Sequence, residues 1–244
     1  MKREFCDLHL RPKLEDPNQT ERIILKASEM GYRLVAITFP INATEEQIEN
    51  VRRACEDTDI ECATRVDLTP RTPEQLKNTL RRVRRKFEIV SVLSETKNVA
   101  RQAAKDRRVD LLNFPSLDYH RRFFDIAEAE LASTGLAALE IDIASLLVHQ
   151  GPTRIRLLSM FRRETATARV FHVPTVVSSG TTDEILLREP LAHVAMASLF
   201  DLSVEEAVNA VTRNPLHIYN RNKTKLDSKF IAPGIRIIGK SKDC

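Results

Sequence analysis

Short apolar segments alternate with amphipathic segments along most of the chain. Apolar runs of about four to eight residues are typical of buried strands, whereas apolar positions three or four residues apart are typical of helices. On this basis we predict seven strands, at residues 4–9, 33–38, 60–66, 88–93, 109–113, 137–142 and 170–177. We predict helices at residues 19–31, 44–57, 73–86, 96–107, 121–135 and 153–168, with further helices within 189–220. This alternation indicates βα units around a parallel sheet.

Local signals at the predicted helix starts support these boundaries. Thr44 with Gln47, and Ser203 with Glu206, have the spacing of a capping box. Pro73 stands at the first position of another predicted helix, where its missing N–H group costs nothing. The three signals agree with the apolar pattern.

The number of strands bears on the fold class. Eight strands close a regular (β/α) barrel, and such domains occupy roughly 200–250 residues. The chain has 244 residues but only seven predicted strands. We therefore predict an α/β fold, a TIM-like (β/α) barrel that is incomplete or distorted, over residues 1–220. Residues 221–244 are predicted to be a basic C-terminal tail, in which residues 235–238 can form a short edge strand.

Composition excludes several classes of protein. Hydrophobic residues make up 42% of the chain and charged residues 30%, as in a globular domain with a charged surface. No run of about 18 apolar residues and no apolar signal region is present, so we expect a cytoplasmic protein without a membrane span. The four cysteines lack C-x-x-C spacing, so neither a zinc site nor a disulfide framework is expected. The net charge of +4 is too small to identify a partner.

Polar side chains stand where the first and last predicted strands end. Functional groups of such barrels come from the carboxyl ends of strands and the loops after them. The first strand ends in the segment Asp7-Leu-His9-Leu-Arg11, and the last ends in Ser178-Ser179-Gly180. These segments are candidates for the functional site.

These two segments, together with others in the same order, resemble one known family. The opening F-x-D-L-H, the late S-S-G, and the closing segments 188–190 and 213–215 resemble ribonuclease P protein component 3, the archaeal-type p30 subunit. Segments 118–123 and 139–142 also resemble mid-chain segments of that family. The likeness extends over about residues 4–222.

The resemblance implies a function. It implies an RNA-binding subunit of ribonuclease P that supports the catalytic RNA in 5′ maturation of precursor tRNA, without catalytic residues of its own. The implied partners are the ribonuclease P RNA, precursor tRNA, other ribonuclease P proteins, and a smaller ferredoxin-like subunit in a two-plus-two assembly. No cofactor is expected on this chain, and magnesium is expected to act through the RNA.

The resembled family is related in fold to the polymerase and histidinol phosphatase superfamily, whose members bind metals through D-x-H-x-H and a late Asp/His pair. Here Arg11 replaces the second His, and Gly180 to Thr182 replace the late pair. The positions that remain, expected to be vestigial and metal-free, are Asp7, His9, Glu140 and Asp142. Two alternatives stay open: a metal-dependent phosphoesterase of that superfamily, and a barrel enzyme with a phosphate-binding mouth.

The candidate RNA contacts form three groups. Basic residues in the loops after the strands are Arg11, Arg65, Arg71, Lys97, His120, Arg121, Arg122, Arg154 and Arg156. A helix end near the N-terminal face carries Arg81, Arg82, Arg84 and Arg85, and Arg213 stands apart. Ser178 and Ser179 are candidates for an anion-binding turn.

Each group has a structural alternative. Cations at a helix C-terminus are also favoured by the helix dipole, and the serine turn is also an ordinary strand-to-helix turn. Asp7 and His9 are alternatively a buried hydrogen-bonded pair. Because the chain has no Trp and three Tyr, we expect recognition of folded RNA by shape rather than by base stacking. Leu146 to Val148 are a candidate partner surface or part of the core.

Overall fold

Seven parallel strands form one sheet in the order of the sequence, from β1 to β7. The computed structural model describes residues 4–56, 58–227, 230–232 and 235–236. The strands are β1 (Phe5–Leu10), β2 (Tyr32–Phe39), β3 (Glu61–Leu68), β4 (Ile89–Leu93), β5 (Leu111–Asn113), β6 (Ala138–Asp142) and β7 (Thr175–Ser178). The predicted TIM-like barrel of seven strands is confirmed.

Helices separate the strands and continue after the last one. They are α1 (Pro17–Glu29), α2 (Glu45–Glu56), α3 (Pro73–Val83), α4 (Lys97–Lys105), α5 (Ile126–Gly135), α6 (Ala144–Val148), α7 (Gly151–Val170), α8 (Pro190–Ala197), α9 (Val204–Ala210) and α10 (Arg213–Leu226). Single 3₁₀ turns are found at Tyr119–Arg121, Glu184–Leu186 and Ser198–Phe200. No helix of the described ranges combines the length and the apolar character that crossing a membrane requires.

The predicted helix starts are formed as expected. The Ser203 hydroxyl accepts from the Glu206 N–H, and the Glu206 carboxylate accepts from the Ser203 N–H, which completes a capping box before α9. Thr44 and Gln47 exchange the same two bonds before α2. These reciprocal bonds satisfy N–H groups that a helix start would otherwise leave unpaired.

The barrel closes between β1 and β7 without an eighth strand. Near the carboxyl ends, the Gly180 N–H donates to the His9 carbonyl at 3.0 Å, and the Arg11 N–H donates to the Thr181 carbonyl at 2.8 Å. Near the amino ends, the Cys6 N–H donates to the Val211 carbonyl at 2.8 Å. The loop after β7 and the turn before α10 therefore cover the edge of β1 that an eighth strand would pair with.

The interior of the barrel consists of an apolar and a polar layer. The apolar layer fills the half nearer the amino ends of the strands, where Ile218 and Tyr219 of α10 close the barrel. Its strand members include Ala63, Ile89, Leu111, Ala138 and Val176. Because strand side chains alternate between faces, the residue two positions later points into the same interior. Those residues are Arg65, Ser91, Asn113, Glu140 and Ser178, all buried.

Several boundaries differ from the sequence-based prediction. α7 extends through Val170, so the predicted start of the last strand at 170 is wrong and β7 begins at Thr175. Residues 122–125 are not helical, because the 3₁₀ turn and α5 are separate elements. α10 extends to Leu226, and its Ile218 and Tyr219 pack into the amino end of the barrel.

Two further expectations concern the cysteines and the tail. Cys55 and Cys62 form one disulfide, although the sequence predicted no disulfide framework. The turn between α2 and β3 brings their Cα atoms within 6.3 Å, although the residues lack a recognisable spacing. In the tail, β9 (Ile235–Arg236) pairs antiparallel with β8 (Phe230–Ala232). The remainder of the predicted edge strand, residues 237–238, lies outside the described residues.

Candidate functional site

A network of ion pairs and hydrogen bonds fills the carboxyl end of the barrel. Its centre is Arg65 of β3, whose side chain has no exposed surface. The guanidinium donates to both oxygens of Glu140, at 2.6 and 2.7 Å, and to Asp67 Oδ1 at 2.7 Å. It also donates to the Leu8 carbonyl at 2.6 Å. The planar fork of arginine suits such two-point binding of a carboxylate.

His9 joins this network from the opposite side. A register irregularity in β1 between Asp7 and Leu10 breaks the regular alternation of that strand beside His9. Its Nδ1 lies 2.8 Å from Asp142 Oδ1, and its Nε2 lies 2.9 Å from Asp67 Oδ2. An imidazole between two carboxylates donates from both nitrogens when it is protonated. The ring is therefore held as an imidazolium.

The charges in this network shift one another's pKa values. Burial and the charge of Arg65 lower the pKa of His9, but Asp142 and Asp67 raise it by more, to about 10. Burial alone would raise the pKa of Asp67, but Arg65 and His9 hold it well below its usual range. The pKa of Asp142 is also lowered, despite burial, chiefly by His9. Both aspartates therefore stay ionised at neutral pH.

Two further polar side chains, Asn113 and Ser178, bind the carboxylates of the network. Asn113 Nδ2 donates to Glu140 Oε2 at 3.0 Å and to Asp142 Oδ2 at 2.8 Å. The Ser178 hydroxyl donates to Glu140 Oε1 at 2.9 Å. With Asp67, Glu140 and Asp142 facing Arg65 and His9, the network holds three carboxylates and two cations. The centre of the mouth is therefore not an anion-binding site.

Asp7 binds backbone N–H groups rather than the side chains of the network. Its Oδ1 accepts from the backbone N–H groups of His9, at 3.1 Å, and Ser179, at 3.0 Å. Asp7 and His9 are therefore both buried and joined by a hydrogen bond, but this bond comes from the His9 backbone N–H and not from its ring. The His9 ring faces Asp67 and Asp142. Asp7 instead joins β1 to the segment after β7.

Gly180 lies directly against the network, with a φ of +65°. A Cβ atom at this position would lie 2.6 Å from Cβ and Cγ of Asp142. We expect Gly180→Ala to lower the free energy of unfolding by about 1–3 kcal/mol, because it adds this contact to the strain of a left-handed backbone. Chemical denaturation measures the loss.

The matched control is Gly151→Ala, at a φ of +55° with no atom within 4 Å of the added Cβ. This variant has the backbone strain but no close contact to its Cβ, so its free energy of unfolding should fall by less than that of Gly180→Ala. Equal losses would contradict the close packing of Gly180 against Asp142.

The side chains at the mouth do not fit a hydrolytic metal centre. One oxygen or nitrogen of each of His9, Glu140 and Asp142 lies within 4.8 Å of the others, which is a spacing suited to metal ligands. However, Arg65 already binds both oxygens of Glu140, and His9 binds Asp142. A divalent cation would have to displace the guanidinium and deprotonate His9. Of the four positions predicted as vestigial metal ligands, Glu140 binds Arg65, His9 and Asp142 bind each other, and Asp7 binds backbone N–H groups.

A cavity of about 290 Å³ lies beside this network and opens at the carboxyl ends of the strands. Arg11 and Asp142 line it, together with Asn113, Gly180 and Thr182. The exposed Arg11 donates to the Gly180 carbonyl at 2.6 Å. Its guanidinium lies at the rim, where solvent reaches it.

Four of the predicted RNA contacts are buried in the structure. Arg65 belongs to the interior network, and Ser178 and Ser179 lie at most 2% exposed beside it. Arg122 forms a two-point ion pair with Glu164 of α7, at 2.7 and 2.6 Å, beneath the surface. These four side chains offer RNA little or no surface, because carboxylates or backbone groups within the protein already bind their polar atoms.

The remaining predicted contacts are at the surface, and their role stays a prediction. Those near the carboxyl ends of the strands are exposed: Arg11, Arg71, Lys97, His120, Arg121, Arg154 and Arg156. Arg81, Arg82 and Arg85 are exposed at the end of α3, whereas Arg84 is half-buried and binds Asp110. Arg213 is exposed at the amino end of the barrel, where its neighbour Asn214 donates to the Thr175 carbonyl.

The sequence analysis missed several members of the network, above all Asp67. A signal for it existed, since Asp67 follows Arg65 by two residues in one strand and therefore shares its face. Glu164, the partner of Arg122, gave no such signal because it lies on a helix 42 residues away in sequence.

Known proteins resemble this chain over nearly its whole length. A relative from Methanosarcina barkeri, ribonuclease P protein component 3, is 29% identical over 220 residues, which cover 90% of this chain and 89% of the relative. The protein of the same description from Methanothermobacter thermautotrophicus is 25% identical over 241 residues, covering 98% and 97%.

A solved structure shares the fold. A chain in the cryo-EM structure of archaeal ribonuclease P with mature tRNA has a TM-score of 0.84 and 20% identity, covering 97% of this chain and all of that one. The model of the family described as ribonuclease P subunit p30 matches residues 4–227. The chain therefore belongs to the ribonuclease P subunit p30 family.

Proposed function

We propose that this chain binds and supports the catalytic RNA of ribonuclease P during 5′ maturation of precursor tRNA, and that it has no active site of its own. The observation that carries the second part is the position of Arg65. Its guanidinium lies among the carboxylates that a hydrolytic metal would need. Membership of the p30 family supports the first part.

We propose further that this chain binds no cofactor and that magnesium acts through the RNA. RNA folding brings phosphates close together, and divalent cations or basic side chains reduce their repulsion. Exposed arginines on the protein would lower the magnesium concentration at which the RNA holds its active shape. We also propose that the protein is cytoplasmic.

The proposed protein partner is a smaller ferredoxin-like subunit, in a two-plus-two assembly, among other ribonuclease P proteins. The candidate docking segment at the end of α6 is only partly available: Leu146 is buried, while Val148 is 55% exposed. Ile155 at the start of α7 is 68% exposed as well. Size and mass measurements on the mixed subunits test the stoichiometry.

Reconstitution of precursor-tRNA cleavage tests the proposed function. Cognate RNA and the other protein subunits are assayed at limiting magnesium, with and without this chain. We expect omission to lower the cleavage rate and to raise the magnesium concentration needed for half-maximal activity. Unchanged activity without the chain would refute the proposal.

A second assay tests the main alternative function, a metal-dependent phosphoesterase. The purified chain alone is incubated with Mn²⁺ or Zn²⁺ and a model phosphate ester. We expect no hydrolysis, because a metal that binds Glu140 and Asp142 would have to displace Arg65 from Glu140 and His9 from Asp142. Hydrolysis that disappears in Asp142→Asn would instead favour a phosphoesterase.

A further inference from the structure

We propose that the N-terminal face of the barrel, opposite the mouth, is a binding surface for the phosphate backbone of RNA. We call it the N-terminal basic surface and define it by residues from α2, the end of α3, the loop before β5, and α10. It consists of Arg52, Arg53, Arg84, Arg85, Lys86, Arg107, Arg221, Lys223 and Lys225. This inference rests on the proposed function and locates its RNA contact.

Two adjoining grooves bring one half of this surface together. The first, of about 550 Å³, is lined by Arg52 of α2, Arg85 after α3 and Lys223 of α10, among others. The second, of about 850 Å³, shares Arg52 and Arg85 and adds Arg53. Arg52 lies 33 residues before Arg85, and Lys223 lies 138 residues after it, so these three side chains face a common groove only in the folded chain.

The other half centres on Lys225. Burial lowers the pKa of Lys225, and the nearby charges of Arg221, Arg84 and Arg107 lower it further, against the opposing effect of Asp110. Arg84 and Arg221 share the Asp110 carboxylate, at 2.6 and 2.8 Å. One carboxylate therefore lies among several cations, and an additional anion would relieve their repulsion.

Most cations of the surface are available to a ligand. Arg52, Arg53, Arg85 and Arg107 are exposed. Among the residues that the structure describes, these four form no ion pair within 4.0 Å. Lys223 is different, because it binds Glu61. Free guanidinium groups on three elements offer donors at several points, as an extended polyanion requires.

The lining chemistry favours RNA over a protein partner. Protein interfaces have an apolar core, rich in aromatic side chains. The two grooves contain Ile48 and Leu226 as large apolar side chains and no aromatic one. Carboxylates also line these grooves: Glu88 and Asp227 in the first, and Glu45, Glu46 and Glu49 in the second. The cations of the N-terminal basic surface still outnumber the carboxylates, because Arg84, Arg107, Arg221 and Lys225 lie around the single carboxylate of Asp110. This excess of positive charge suits a phosphate backbone.

The test compares two double variants with equal loss of charge. Arg52→Gln/Arg85→Gln removes two unpaired cations from the grooves. Lys13→Gln/Lys77→Gln removes two cations that are also exposed but lie outside them. Binding of the full chain to cognate ribonuclease P RNA is measured across a salt series, and urea midpoints confirm that both variants fold.

We expect the groove variant to bind about tenfold more weakly near physiological salt, and the slope of log affinity against log salt to fall by about 2. The control variant should change the slope by less than half as much. Equal slopes for the two variants would overturn the inference.

The wild-type chain separates this inference from the proposed function. If the wild type does not bind the RNA, the proposed function fails. If the wild type binds and the groove variant binds equally well, only the N-terminal basic surface is refuted. Unchanged RNA binding with lost binding to another purified ribonuclease P protein would assign the surface to a protein partner instead, and would also overturn the inference.

Discussion

Replacing Arg65 by methionine will lower the free energy of unfolding by about 3–5 kcal/mol, although methionine is comparable in length and apolar. The substitution removes the donors to Glu140 and Asp67 and leaves these carboxylates buried without their cation. Uncompensated charge inside a protein is among the most destabilising changes known. Urea unfolding at pH 7 measures the loss.

Two further variants show whether the unpaired charge is the cause. Arg71→Met removes an exposed arginine three residues beyond the end of β3 and should change stability by less than about 0.5 kcal/mol. Arg65→Met/Glu140→Gln also removes the negative charge facing the missing guanidinium and should recover about 1 kcal/mol or more. If the double variant is no more stable than Arg65→Met, the loss comes from packing and not from charge.

The stability of the protein will fall as the pH rises from about 6.5 towards 10, and His9 will account for much of this fall. The pKa of His9 is 6.5 as a free side chain and about 10 in the folded protein, because Asp142 and Asp67 outweigh burial and Arg65. The raised pKa means that folding favours the imidazolium. Its contribution is complete below pH 6.5 and is lost as the pH passes through about 10.

Between pH 6.5 and 10, His9 should lower the free energy of unfolding by several kcal/mol, since each pKa unit corresponds to about 1.4 kcal/mol. Ionisation of Glu128 also lowers the stability of the protein as the pH rises, because burial raises the pKa of Glu128 to about 8. Comparison of the wild type with His9→Gln cancels that contribution. Unfolding free energies are measured in urea at several pH values between 6 and 10. Parallel curves for the two proteins would show that His9 is not the titrating group.

The network accounts for the burial of three carboxylates at the mouth of the barrel. Asp67, Glu140 and Asp142 need a cation to remain buried, and Arg65 with His9 supplies the charge. An arginine on the barrel wall gives a fixed cation that binds carboxylates but activates no water. The network stabilises the barrel, while the basic residues at the surface remain available for RNA.

The sequence alone determined the fold class and the order of the elements. The apolar alternation locates seven strands, and capping residues such as Ser203 and Glu206 locate helix starts. These signals are local. Side chains alternate between the two faces of a strand, and a helix start is capped by side chains within three residues of it, so both patterns can be read from neighbouring positions in the sequence. The resemblance through Asp7, His9 and the S-S-G segment identified the family for the same reason, since it depends on residue types in order.

Only the tertiary structure decided which basic residues are available. Arg65 and Arg122 resemble any other arginine in the sequence, but Glu140 and Glu164 bind them beneath the surface. Cations of α2, α3 and α10 likewise converge on one face only after the barrel closes. Electrostatic interactions act across space and depend on burial, so neither the pairing of a charge nor its exposure follows from its position along the chain.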